Sequence, residues 1–128
     1  MSLFYNFKTF TNYKKEWIYI SENADWAIYN VGLELIKFFK LNNRKARVSF
    51  QPHLIFNSIV HFGSINIFYS KFNSLLFKNN KIIVTFFHGY LGMNDEMDLR
   101  INFLLTNLDS VDSIIVSNTV MFNRMIKL

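Results

Sequence analysis

The chain has three histidines, His53, His61 and His88, and no cysteine among its 128 residues. Thiol nucleophiles, thiolate metal sites and disulfides are therefore closed to it, and side-chain proton transfer near neutral pH falls to a histidine. His88 is the notable one. It ends the apolar run Val84-Thr85-Phe86-Phe87 and is followed by Gly89. An imidazole at the end of a buried strand can donate to a sugar hydroxyl or a phosphate, or act as a general acid or base. A glycine beside it permits positive φ and close approach of a ligand to the backbone. An ordinary strand running out into a turn would leave the same residues. His61 alternates with Val60 and Phe62 and reads as a core or cleft-edge histidine, and His53, after Pro52, reads as a loop residue. Their spacings fit no compact zinc motif. Asp95, Glu96 and Asp98 form an acidic cluster better suited to the first turn of a helix than to a cation.

The elements that must carry these residues follow from hydrophobic period. Residues 1–16 show no clean period and are expected to form an extended arm, with one domain over 17–128. Trp17 to Ser21 reads as a strand, and the stripe of Trp26, Tyr29, Val31, Leu33, Ile36 and Phe39 reads as a helix over about 24–41, capped by Asn23 or Asp25. Gly32 inside that helix costs about 1 kcal/mol and suggests close packing. Lys45–Phe50 and Ser58–Ser64 read as strands. Ile67, Phe68, Phe72, Leu75 and Leu76 then make a helical pattern. Lys81–Phe87 and Ser113–Asn118 are continuous apolar runs, as expected of strands buried on both faces of a parallel sheet. A helix capped by Asn94 lies between them, and a last one follows Ser117 or Asn118. The order β-α-β-β-α-β-α-β-α predicts an α/β, Rossmann-like three-layer domain of about five mostly parallel strands with helices on both faces. Ligands in such sheets bind outside the carboxyl ends of the strands. That places Asp25, His61, Gly63, His88, Gly89, Ser117 and Asn118 around one crevice.

Composition narrows the partners. The chain is 51% hydrophobic with 15 phenylalanines, which supports a core and a surface that expects a partner or second domain. The net charge of +5 favours anionic partners, with Lys37, Lys40, Arg44, Lys45 and Arg47 crowded together. They read first as a solvated helix end, then as an anionic-membrane or nucleic-acid patch. The aromatics fall in strands and on apolar helix faces, so nucleic acid is not expected. No apolar run approaches the roughly 20 residues that span a bilayer, and no signal peptide is visible, which makes a cytoplasmic location the default. Signatures of P-loop, dinucleotide-binding, nucleophile-elbow and zinc-protease sites are missing.

Taken together, "NADWAIYNVGLELIKFF", "SIVHFGS", "KIIVTFFHG" and "VDSIIVSNTVMFNRMIKL" resemble the N-terminal half of a GT-B, family-4-like glycosyltransferase over Trp17 to Leu128. The resemblance implies a Rossmann-like acceptor domain facing a cleft, with a nucleotide sugar as co-substrate and a glycan or lipid-linked acceptor. It implies no metal, and work at the inner face of the membrane for many members. The position of His88 is then a contact to the transferred sugar, and it stands as the catalytic candidate. Gly89, His61, Gly63, Ser117, Asn118 and Asp25 stand as substrate-binding candidates. Two departures stand out. The loop after the first strand, Ser21 to Asp25, has no glycine, and the donor-binding half with its glutamate motif is not in the chain. The expectation is a truncated or split enzyme. A non-catalytic Rossmann-like interaction module that pairs with another chain is the alternative, and a flavodoxin-like or receiver domain a third.

Overall fold

The computed structural model describes residues 2–4, 15–24, 26–74 and 79–128. Within them the apolar runs form strands β1 (Ser2–Phe4), β2 (Trp17–Ile20), β3 (Ala46–Ser49), β4 (Ile59–Phe62), β5 (Lys81–Phe86) and β6 (Ser113–Val116). The 3.6-residue patterns form helices α1 (Ala27–Leu41), α2 (Ile65–Lys71), α3 (Asp95–Thr106) and α4 (Thr119–Ile126). All strand pairs are parallel, in the order β1-β6-β5-β4-β2-β3. The domain is α/β with helices on both faces, as the alternation of elements predicts.

Side chains alternate between two cores. Ile18, Ile20, Val60, Phe62, Val84, Phe86, Ile114 and Val116 point to one face, where α2, α3 and α4 cover them with Ile67, Phe68, Met97, Ile101, Leu104, Met121 and Met125. Trp17, Tyr19, Ile59, Ile83 and Ile115 point to the other face, where α1 brings Leu35, Ile36 and Phe39. Because β2, β4, β5 and β6 are apolar on both sides, their sequences run continuously apolar instead of alternating.

Three elements differ from the sequence expectation. The start of the chain is more than an arm, because Ser2–Phe4 pairs with Ser113–Ile115 as a sixth strand. Three residues are too few to show a period. The remainder of the expected arm, 5–14, lies outside the described residues, as do Leu75 and Leu76 of the second helical pattern. That pattern here gives α2 and a 3-10 turn at Phe72–Ser74. Helix α1 begins at Ala27, with Trp26 in the N-cap position and no side-chain cap, so Asn23 does not cap it. The other caps match. Asn94 accepts from Met97 N at 2.7 Å and Asn118 from Met121 N at 3.0 Å.

Chain direction across the sheet reverses at β2: β3 lies on one side of it and β4 on the other. Counting β2 to β6 alone, the order is 2-1-3-4-5. Flavodoxin-like sheets have this order, and so does the six-stranded Rossmann order without its outermost strand. The reversal is tightly filled. The Tyr19 hydroxyl donates to Ile28 O at 2.9 Å, tying β2 to the first turn of α1. A Cβ on Gly32 would lie 2.4 Å from the Tyr19 ring, and one on Gly63 would lie 2.4 Å from the Tyr19 hydroxyl oxygen. Both glycines are therefore needed for space.

This packing reverses the usual sign of a helical Gly-to-Ala change. Propensity alone makes alanine better by about 1 kcal/mol in a helix interior, whereas overpacking costs about 1–3 kcal/mol. Gly32→Ala is expected to lower stability in urea unfolding, and Tyr19→Leu in the same chain to recover part of the loss. A stabilised Gly32→Ala protein would show that α1 does not rest on Tyr19 in this way.

Candidate functional site

The carboxyl ends of the strands carry a groove built from two elements. Trp26, Ala27, Ile28 and Val31 of the α1 start form one side, and Phe87 and His88, just past β5, form the other. Its volume is about 340 Å³. His88 is exposed, and among the described residues it is the only titratable side chain lining the groove. Trp26 is 63% exposed, so its ring is available to a ligand. The arrangement offers a flat aromatic surface, an apolar lining and one imidazole that can donate or accept, the composition of a site for a small, partly apolar ligand oriented by few polar contacts.

The other candidates divide. Gly89 follows His88 with φ 110°, a conformation that favours glycine, as the strand-to-turn reading requires. Its Cβ direction, however, points at Met97, whose sulfur would lie 2.6 Å away. Gly89 is thus there for the turn and for close packing against α3. Gly63 is likewise buried, against Tyr19 and Ile28. Ser117 and Asn118 are exposed, but both are engaged. The Ser117 hydroxyl donates to Phe87 O at 3.0 Å, joining the ends of β5 and β6, and Asn118 caps α4. Ser117 therefore fixes the backbone just before His88. Asp25 lies outside the described residues. His53 is exposed on its loop. In the acidic cluster Asp98 accepts from Gly92 N at 2.8 Å and Glu96 pairs with Arg100.

His61 takes the core reading. It is 1% exposed and lies behind the crevice, with Nε2 2.7 Å from Thr85 Oγ1. The rings of Trp17 and Tyr19 meet it edge-on at 5.6 and 4.8 Å. Its Nδ1 has no hydrogen-bond partner among the described residues. A neutral ring with its proton on Nε2 leaves only a bare lone pair there, the cheaper of the two tautomers. Burial pushes the His61 pKa down to about 3 and raises that of Tyr19. A ring closed off in this way cannot reach a substrate, so His61 shapes the layer on which α1 sits.

Sequence reasoning treated Trp26 as one more residue of the α1 stripe and so missed it as a groove residue. Its position directly before Ala27, where the helical period breaks, was the available signal. Thr85 was missed for a different reason: its meeting with His61 depends on the β4–β5 register, in which His61 pairs with Ile83. Compared with protein-family models, curated proteins and solved structures, the chain matches none.

The buried imidazole sets a pH dependence. Its folded pKa lies below the unfolded value of about 6.5, so the unfolded chain takes up the proton first as pH falls. The contribution is complete above about pH 6.5 and is lost toward pH 3, by up to about 1.4 kcal/mol per pH unit. Thermal unfolding of His61→Gln between pH 7 and 4.5 is expected to show a shallower loss of Tm than wild type, whatever its Tm at pH 7. Equal slopes would mean that His61 is protonated in the folded protein.

Proposed function

We propose that the chain forms the acceptor-side half of a glycosyltransferase, moving a sugar from a nucleotide-sugar donor to a glycan or lipid-linked acceptor. The observation that carries this reading is the groove in which the exposed His88 and Trp26 occur together at the carboxyl ends of the strands. A sugar ring has an apolar C–H face and a rim of hydroxyls. The first suits an indole, and the second suits an imidazole that both donates and accepts. Transfer breaks the bond from the anomeric carbon to the phosphate oxygen of the donor and forms one to an acceptor hydroxyl oxygen, whose proton passes to the departing diphosphate. Negative charge then develops on the departing diphosphate and needs preorganised donors. Apart from His88, the described residues of the groove lining are apolar. The reading therefore gives this half the sugar and acceptor, and gives a second unit the nucleotide. The nucleotide sugar is a co-substrate, and no metal is invoked.

A second reading has its own observation. Tyr90 and Met93, in the loop after β5, are 49% and 43% exposed beside the same strand ends as Trp26. A rim of large apolar side chains also suits a non-catalytic module that another chain covers.

Saturation-transfer NMR against a panel of monosaccharides and nucleotide sugars separates the two. Sugar protons are expected to receive saturation from wild type, and His88→Ala and Trp26→Ala each to weaken binding about tenfold, the scale of one lost polar or stacking contact. A wild-type chain that contacts no sugar, or variants that bind as well as it does, would leave the interaction module as the reading.

A further inference from the structure

The amino ends of the strands, opposite the His88 groove, hold a larger hollow of about 520 Å³. Lys15 and Glu16, just before β2, Lys45 and Arg47, at the start of β3, and Leu54 and Phe56, from the loop between β3 and β4, line it. An adjoining hollow of about 400 Å³ shares Lys15 and Asn57 and adds Lys81 and Asp112. Among the described residues, four cations thus face the joined space against two carboxylates.

The two sides of the hollow differ in character. On the cationic side, one carboxylate restrains two cations: Glu16 lies 3.1 Å from Arg47 Nε and 3.6 Å from Lys45 Nζ. Lys15 is held at both ends: its carbonyl accepts from Arg44 Nη2 at 2.8 Å, and its Nζ donates to Asn79 O at 3.2 Å on the exposed rim. On the apolar side, Leu54 and Phe56 are 64% and 66% exposed. Leu54 has φ 63° and Asn57 φ 51°. Left-handed backbone at a leucine is uncommon and strained, and such strain concentrates at ligand sites. A cation cluster in which one carboxylate holds two of the cations, facing exposed apolar side chains across a concavity, matches a ligand that is anionic at one end and apolar at the other.

We propose that this hollow binds a phosphate ester with an apolar body. Lys15, Lys45 and Arg47 take the phosphoryl group in competition with Glu16, and Leu54 and Phe56 take the body. A dianionic phosphate brings more charge and more acceptors than the carboxylate it displaces. The site stands apart from the sugar-binding reading, at the other end of the sheet. Its ligand is either a soluble monoester or the monoester headgroup of phosphatidic acid, which share this chemistry.

The test uses the full chain and two probes. Phenyl phosphate is titrated while backbone amide NMR shifts are followed, and vesicles of phosphatidylcholine with or without phosphatidic acid are offered in a sedimentation assay. Binding is expected to shift the amides of Lys45, Arg47 and Asn57 and to leave His88 unmoved. Arg47→Gln is expected to weaken it about tenfold, the scale of a lost charge-assisted hydrogen bond. Glu16→Gln, which frees the cations, is expected to strengthen it. That pattern with phenyl phosphate supports a soluble ester, and the same variant pattern only with phosphatidic acid vesicles supports a headgroup. Binding to neither probe, binding indifferent to both variants, or shifts confined to the His88 groove would overturn the proposal. The last of these would leave the sugar reading untouched.

Discussion

Tyr19 holds the two ends of this fold's central decision together. The chain leaves β2, forms α1, returns to β3 on one side of the sheet and then crosses to β4 on the other. Helix α1 can sit close to this reversal only because Gly32 gives up a side chain to the tyrosine ring, and the strand end after β4 can turn beside it only because Gly63 does the same. The hydroxyl would otherwise be a buried donor without a partner, which is costly, and its bond to Ile28 O fixes the helix start. Ile28 and Trp26 then take their places as one side of the groove. The functional face thus inherits its geometry from a contact that no ligand touches.

The two strand histidines show how position decides the fate of one residue type. His61 lies inside β4 and points into the layer beneath α1, so burial keeps it neutral and it fills space. His88 comes two residues after β5 ends, past the cover of the helices, and stays exposed. Both follow apolar runs in the sequence. What separates them is whether the strand continues beyond the residue or stops before it.

Most of the architecture was legible because the strands are buried on both faces and therefore read as unbroken apolar runs, with polar caps such as Asn94 and Asn118 marking where helices begin. The candidate site was less so. Gly89 was legible as a turn residue, since its positive φ follows from the abrupt end of the strand. The direction its missing side chain would take, into Met97, depends on where α3 packs. Ser117 was legible as a strand-end residue, but its bond to Phe87 O needs two strands that lie 30 residues apart in the chain. Trp26 was hidden by its own hydrophobicity, which matched the helical stripe it precedes. These misses share a cause: each depends on tertiary placement, and local pattern records only the element.

The chain holds two tryptophans, and the fold sends them to opposite surroundings. Trp17 is fully enclosed against Phe39 and the His61 ring, while Trp26 stands in the open groove. The molecule therefore carries its own pair of optical reporters. Emission from the enclosed indole follows the integrity of the sheet, and collisional quenchers in solvent reach mainly the open one. Folding and occupancy of the groove can be read as separate signals from one unlabelled sample.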